Sequence, residues 1–290
     1  MSLTLEGVLG PVVTTFQWSG ELDGTAFAEN IRAHLEAGMS GVVVAGSTGE
    51  AALLDEKERG VLVETARYSV PGDRRLIVGT GAESTRLAKR YAKIAAERGA
   101  DAVLVVAPHY YGAKAVALRD HYLAIADESS IPVILYSIPK YMHFPLSAQL
   151  VAELARHENI IGIKDSSGDL ELLAGYLKAQ SETFTVLTGN GSTFKRALEL
   201  GARGGILAVA LFAAGLALDV YASMSEQAQQ RLIPLSGRIV GELGVAGVKA
   251  ALDRVGLVGG PVRAPLVSLG AAELAQVTEL LRTAELSLAA

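Results

Sequence analysis

The chain contains no cysteine. That excludes a disulfide framework, thiolate metal sites and a cysteine nucleophile, and it leaves a cytoplasmic setting as the default expectation. Histidine is also scarce. His34, His109, His121, His143 and His157 show no H-x-x-x-H or similar ligand spacing, so metal catalysis has no support and no bound metal is expected. No G-x-G-x-x-G follows the first apolar run, which leaves nicotinamide and flavin chemistry without a motif. Positive charge is not in surplus: the net charge is −5, which gives no electrostatic case for nucleic acid or an anionic membrane surface. The most apolar stretch, residues 204–218, is too short for a membrane span and is broken by Gly215. It reads as a buried strand running into a helix. The first seven residues lack a basic region followed by an apolar one, so no secretory signal is expected there. There is no Pro/Ser-rich linker and no low-complexity segment.

What is present is a chain of 290 residues, half hydrophobic and one fifth charged, the composition of a compact enzyme with a large core. Short β-rich runs alternate with amphipathic helical patterns. The runs fall at 8–15, 41–45, 76–79, 102–107, 133–137, 160–164, 185–188 and 205–209. Asp55 and Glu58 are spaced as a capping-box variant that opens the helix after the second run. Leu87, Tyr91, Ile94 and Ala95 make one apolar helical face after the third, and Leu150, Val151, Leu154 and Ala155 another after the fifth. Gly38, Gly99 and Gly201 punctuate the junctions. Eight βα units in this length predict a (β/α)8 TIM barrel over residues 1–222, for which about 250 residues is typical. The remainder, 223–290, reads as a C-terminal helical extension with helices at 227–243, 246–255 and 271–284.

A barrel places chemistry at the carboxyl ends of its strands and in the loops that follow. The sixth run, Ile160-Ile161-Gly162-Ile163-Lys164-Asp165, ends in a lysine. Lysine is costly to bury. Either its head escapes to water, or it serves as an amine nucleophile that forms a Schiff base with a carbonyl. The second run ends in Gly46-Ser47-Thr48-Gly49-Glu50, a turn whose hydroxyls and backbone N–H groups can hold a carboxylate, or simply satisfy one another. It is not a P-loop, because no Gly-Lys-Ser/Thr follows. Tyr110 and Tyr111 follow the fourth run. Tyr136, in the fifth, stands on the strand beside Lys164 and can pass protons to and from a substrate. The seventh ends in Thr188-Gly189-Asn190-Gly191-Ser192, where Gly189 allows close backbone approach to a ligand. The eighth is entirely apolar and offers walls, with Leu207 the wall residue expected beside the substrate. A pyridoxal phosphate enzyme would also use a lysine, but no phosphate cup or pyridinium partner is evident.

Taken together, these strand ends, with Gly162-Ile163-Lys164-Asp165-Ser166 and the tail Gly259-Gly260-Pro261-Val262-Arg263-Ala264-Pro265-Leu266, resemble the dihydrodipicolinate synthase/N-acetylneuraminate lyase family of Schiff-base lyases. The resemblance covers nearly the whole chain. It implies that Lys164 condenses with pyruvate or another 2-oxo acid and that Tyr136 is the general acid/base. Ser47 and Thr48 would bind the 2-oxo acid's carboxylate, and one of their hydroxyls would link Tyr136 to Tyr110. It also implies that Tyr110 reaches a neighbouring subunit's site in a homotetramer built as a dimer of dimers. The protonated imine is itself the electron sink, so no cofactor is implied. Within the family, synthases carry an arginine for the second substrate, followed by Thr-Gly. Here that stretch is Lys140-Tyr141-Met142-His143, with Tyr141 at the arginine position and Lys140 as the remaining cation. The segment Lys164-Asp165-Ser166-Ser167-Gly168-Asp169 and the tail are most similar to the 4-hydroxy-2-oxoglutarate aldolase branch, in which the serine at the position of Ser166 contacts substrate. The expectation is therefore a lyase acting on a 4-hydroxy-2-oxo acid. Dihydrodipicolinate synthase activity is the alternative, and a non-catalytic 2-oxo-acid-binding barrel is a third reading.

Overall fold

In the computed structural model eight parallel strands close into a barrel in sequence order. They are β1 (Gly7–Pro11), β2 (Gly41–Val44), β3 (Arg75–Gly79), β4 (Ala102–Val106), β5 (Val133–Ser137), β6 (Ile160–Asp165), β7 (Thr185–Thr188) and β8 (Gly204–Ile206). The structure describes residues 5–112 and 114–289, so most of the amino-terminal stretch read above for a signal lies outside the described residues. Strands such as β2, β4 and β5 are mostly valine, isoleucine, leucine and alanine, buried between the barrel interior and the helical layer, as a parallel sheet requires. The helices between them are α1 (Gly24–Glu36), α2 (Glu56–Ser69), α3 (Thr85–Glu97), α4 (Ala115–Glu128), α5 (Pro139–Met142), α6 (Ala148–Leu154), α7 (Leu170–Leu177) and α8 (Phe194–Leu200). Asp55 and Glu58 do form the capping box that opens α2, and Asp23, Ser84, Ser147 and Asp169 cap α1, α3, α6 and α7 with their side chains.

The first strand stops at Pro11 and does not run to residue 15. Proline has no N–H for the ladder. The turned-away Thr14 and Thr15 donate instead to the carbonyls of Gly49 and Asp23, at 2.7 and 2.6 Å. The eighth strand is likewise short, and after Leu207 the chain winds into a single 3-10 turn over Ala208–Leu211.

Beyond the barrel come α9 (Ala214–Ser223), α10 (Glu226–Pro234), a π-helix (Leu235–Glu242), α11 (Gly244–Arg254) and α12 (Ala271–Thr283). The helix expected over 227–243 is thus an α-helix that becomes a π-helix at Pro234. Proline cannot donate to the carbonyl four residues earlier, and i→i+5 bonding takes over after it. Among the described residues no helix is long and apolar enough to cross a membrane.

Two features of this architecture position the site. One is a register shift between β5 and β6. Val133 pairs with Ile160 but Ile134 pairs with Gly162, so Ile161 is an extra residue on β6. The shift sets Tyr136 opposite Lys164. Without it the residue opposite Tyr136 would be Ile163, whose side chain points to the other face. The other is a buried ion pair: Lys249 of α11 meets Glu50 of the β2 loop at 2.5 Å, with both side chains almost wholly enclosed. Lys249 also donates to the Pro261 carbonyl at 2.7 Å, and Glu50 accepts from the Arg263 N–H at 2.8 Å. The loop after β2 is thereby fastened to the C-terminal helices.

Candidate active site

A cavity of about 170 Å³ opens at the carboxyl ends of the strands, smaller than the roughly 300–1,000 Å³ of drug-sized ligand pockets. It is the size of a site for a small metabolite. Lys164 is at its floor, 5% exposed. Its Nζ lies 4.4 Å from the centre of the Tyr136 ring. Among the described residues Lys164 forms no ion pair, and none of the residues lining the cavity is a carboxylate. Lys249, the other deeply buried lysine, contrasts with it: its nitrogen is held by Glu50 and Pro261, whereas that of Lys164 faces open space where a carbonyl carbon can approach.

Ser47 and Thr48 line the cavity from the β2 side, across the barrel from β6. Their turn is held in an uncommon backbone conformation. Ala45 and Glu50, which bracket it, both have left-handed φ, 51° and 56°. Each such residue costs on the order of 1–3 kcal/mol and persists only where surroundings over-determine it. For Glu50 the surroundings are Lys249 and the Arg263 N–H.

Ser166 and Gly189 line the cavity beside Lys164. A side chain at Gly189 would overlap Ser166 Oγ and come within 2.8 Å of Lys164 Cε, so the glycine makes the space these groups occupy. Asp165 points to the opposite face of β6 and is buried. Its carboxylate accepts from Ser167 Oγ at 2.7 Å and Ser167 N at 3.1 Å. Burial pushes its pKa up to about 6, against the pull of those hydrogen bonds.

Tyr141 and Lys140, from the α5 turn, form the rim. Burial, with Tyr136 nearby, raises the pKa of the Tyr141 hydroxyl and keeps it a neutral donor. Lys140 Nζ donates to the Gly241 carbonyl at 2.6 Å, near the carboxyl end of the π-helix, where a cation is favoured. Met142 turns inward, its sulfur accepting from the Ile138 N–H, and His143 is an exposed left-handed cap, φ 65°.

The structure therefore brings Lys164, Tyr136, Ser47, Thr48, Ser166 and Gly189 to one cavity. Leu207 does not join them. It is 0% exposed and the wall is made by its neighbours Ile206 and Ala208. In extended backbone, consecutive side chains point to opposite sides, so Leu207 packs into the core between them. Tyr110 stands apart, 78% exposed and edge-on to Tyr111 at 5.0 Å. Its loop is held by the Glu83 carboxylate, which accepts from the backbone N–H groups of His109 and Tyr110 at 3.2 and 3.0 Å.

The sequence reading missed the roof. Ser236, Val240 and Gly241 of the π-helix and Val245 and Val248 of α11 close the cavity from above, and Asn190 joins from the β7 loop. Asn190 was flagged only by its flanking glycines. For the roof the sequence carries a weak signal, Pro234 and the following glycines in an otherwise helical pattern. Among the described residues, no three His, Asp or Glu side chains gather as a metal site.

The likeness to known proteins spans nearly the whole chain. The chain matches the model of the dihydrodipicolinate synthetase family over residues 4–284. It is 34% identical to a 4-hydroxy-tetrahydrodipicolinate synthase of Methanosphaerula palustris over 288 residues, 96% of this chain and 99% of that one. It is 36% identical to an uncharacterized DapA-like lyase of Halobacterium salinarum, covering 92% of this chain and 90% of the relative. Among solved structures it is similar to the chloride-inhibited dihydrodipicolinate synthase of Acinetobacter baumannii complexed with pyruvate, with TM-score 0.94, 30% identity and coverage of 98% and 100%.

Proposed function

The chain belongs to the dihydrodipicolinate synthetase family of lyases, and from that premise we propose that Lys164 condenses with the keto carbon of pyruvate or a related 2-oxo acid. The observation that carries this reading is the buried lysine, outside any ion pair among the described residues, opposite Tyr136 in the β5–β6 ladder. The Lys164 amine adds to C2, and the resulting carbinolamine loses water to give an imine that takes up a proton. In the cleavage direction the C4 hydroxyl gives its proton to a base. The C3–C4 bond then breaks, its electron pair moves onto the imine to form an enamine, and an aldehyde leaves. Protonation at C3 and hydrolysis release the 2-oxo acid and restore Lys164. Tyr136 carries the protons, and the Ser47-Thr48 turn holds the C1 carboxylate.

The finer reading is cleavage or formation of a 4-hydroxy-2-oxo acid such as 4-hydroxy-2-oxoglutarate. Ser166 beside Lys164 and Tyr141 at the rim support it. Lys140, the only other cation lining the cavity among the described residues, is available to a second carboxylate at the mouth. A second reading, 4-hydroxy-tetrahydrodipicolinate synthase, is favoured by the names of similar proteins such as that of M. palustris. Assembly as a homotetramer would bury the exposed Tyr110-Tyr111 pair and carry Tyr110 towards a neighbouring site.

Incubation with pyruvate and borohydride tests the shared chemistry. A stable adduct mass on Lys164, absent from Lys164→Ala and absent from Lys249, is expected, and an unmodified Lys164 would overturn the reading. Pyruvate release from 4-hydroxy-2-oxo acids, set against condensation of pyruvate with aspartate semialdehyde, then separates the two specificities.

A further inference from the structure

The residues one step beyond Tyr136 and Lys164 form a polar row behind the cavity. Tyr136, Lys164 and Leu187 are paired across β5, β6 and β7, and so are the residues that follow them, Ser137, Asp165 and Thr188. Successive residues of a strand point to opposite faces. Tyr136 and Lys164 are directed into the cavity, so Ser137, Asp165 and Thr188 point outward, beneath the helical layer. All three are 2% exposed or less. That face of a barrel strand is normally apolar.

Each member of the row holds the loop that follows its own strand. Ser137 Oγ accepts from the Leu146 N–H at 3.2 Å and so closes the loop that carries Lys140 and Tyr141. Thr188 Oγ1 accepts from the Asn190 N–H at 3.2 Å, beside Gly189. Asp165, in the middle, takes both the N–H and the hydroxyl of Ser167. Ser167 Oγ in turn accepts from the Asp169 N–H at 3.1 Å. Asp169 then caps α7, accepting from the Glu171 and Leu172 N–H groups at 2.9 and 3.1 Å. A continuous relay of side chains thus ties the end of β6 to the start of α7. Lys164 and Ser166, the two residues that flank Asp165, both line the cavity.

A carboxylate is a costly group for this position. Among the described residues no cation lies against Asp165. The titratable groups that face it are Asp169 of its own loop and Tyr176 of α7. Burial therefore disfavours its charged form. What the carboxylate adds is two acceptor oxygens and charge-assisted hydrogen bonds, about twice as strong as neutral ones. An asparagine offers one acceptor oxygen, and its amide meets the Ser167 hydroxyl as a second donor. A destabilising group directly behind the cavity, with both of its neighbours in the cavity, is not explained by stability.

We propose that Asp165 is a positioning residue for the imine chemistry, acting through Ser167 to hold Lys164 and Ser166 at their places opposite Tyr136. The proposal rests on the imine reading above. The test follows exchange of the pyruvate C3 protons for deuterium by NMR, above pH 7. Exchange needs the imine but no second substrate: the C3–H bond breaks, its electron pair forms the enamine, the proton leaves to a base, and a deuteron returns to C3. Asp165→Asn and Ser167→Ala are expected to lower kcat for exchange by about 10–10²-fold, since misplacement by about 1 Å costs on the order of 10²-fold. KM should change little, because the β2 turn that holds the carboxylate is untouched. Ser167→Thr, which keeps the hydroxyl, should retain the wild-type kcat. Denaturant unfolding above pH 7 should find Asp165→Asn at least as stable as the wild type, so that slower exchange is not loss of fold. Wild-type exchange in Asp165→Asn or Ser167→Ala overturns the proposal. So does a Ser167→Thr protein as slow as Ser167→Ala, or an Asp165→Asn protein slowed only as far as it is unfolded. A wild type that neither exchanges nor forms the borohydride adduct would instead overturn the imine reading.

Discussion

Lys164 and Tyr136 face one another across the β5–β6 ladder, with the lysine nitrogen 4.4 Å from the centre of the tyrosine ring. The ring face, and not only the hydroxyl, therefore adjoins the nitrogen that becomes positively charged in a protonated imine. A cation over such a face gains about 0.5–2 kcal/mol depending on desolvation. Under the proposed imine chemistry the pairing would give Tyr136 two separable contributions, charge stabilisation by the ring and proton transfer by the hydroxyl.

Tyr136→Phe keeps the first and removes the second. Turnover should fall by about 10²–10⁴-fold, the usual worth of a positioned proton donor, while pyruvate is still trapped on Lys164, more slowly. Steady-state kinetics and adduct mass, measured on the same preparation, check this. A variant with wild-type turnover would remove Tyr136 from the chemistry.

Gly189→Ala places a methyl against Ser166 Oγ and Lys164 Cε. Both must move, and misplacement of a reacting group by about 1 Å costs on the order of 10²-fold. The expected outcome is a loss of that size in kcat/KM with a near-normal melting temperature, because the glycine lies at the cavity and outside the hydrophobic core. Circular dichroism melting and kinetics together distinguish this from general destabilisation.

Lys249→Met leaves Glu50 as a buried carboxylate without its cation. Breaking such a pair costs about 3–5 kcal/mol, and removing both charges costs less. Denaturant unfolding should show the single variant strongly destabilised and Lys249→Met/Glu50→Gln partly restored. Glu50 ends the loop that carries Ser47 and Thr48, so the single variant should also raise the KM for the 2-oxo acid.

Asp165 gives a pH signature. Its carboxyl titrates near 6 in the folded protein because of burial, against about 3.9 in an unfolded chain. The folded state holds this proton more tightly, so the stabilisation is present at pH 4 and is lost as the pH rises through 6. Asp165→Asn should match the wild type near pH 4 and exceed it by up to about 3 kcal/mol above pH 7. Unfolding free energies across that range check the sign. A gap that widens towards acid would contradict it.

The barrel was legible in the sequence because its cause is local. Most strands are short apolar runs, several helices carry an apolar face and a capping side chain within a dozen residues, and their alternation is countable. Lys164, Tyr136 and the Ser47-Thr48 turn were legible for the same reason: polar residues at the carboxyl ends of buried strands stand out against an apolar background. Leu207 was misjudged because three successive apolar residues do not reveal which of them faces the cavity, and the phase is fixed by the turn that follows β8.

Tertiary structure alone decided the rest. The extra residue at Ile161 that brings Lys164 opposite Tyr136 is a property of two strands pairing, and nothing in either strand's sequence announces it. The Lys249–Glu50 pair joins segments far apart in the chain, and Ser236 becomes a cavity residue only when the π-helix after Pro234 packs above the barrel mouth. The sequence by itself determined what local periodicity and side-chain chemistry can specify: the barrel, and the lysine and tyrosine at the carboxyl ends of its sixth and fifth strands. The register, the roof and the shape of the pocket for the rest of the substrate depend on contacts between distant segments, which exist only once the chain is folded.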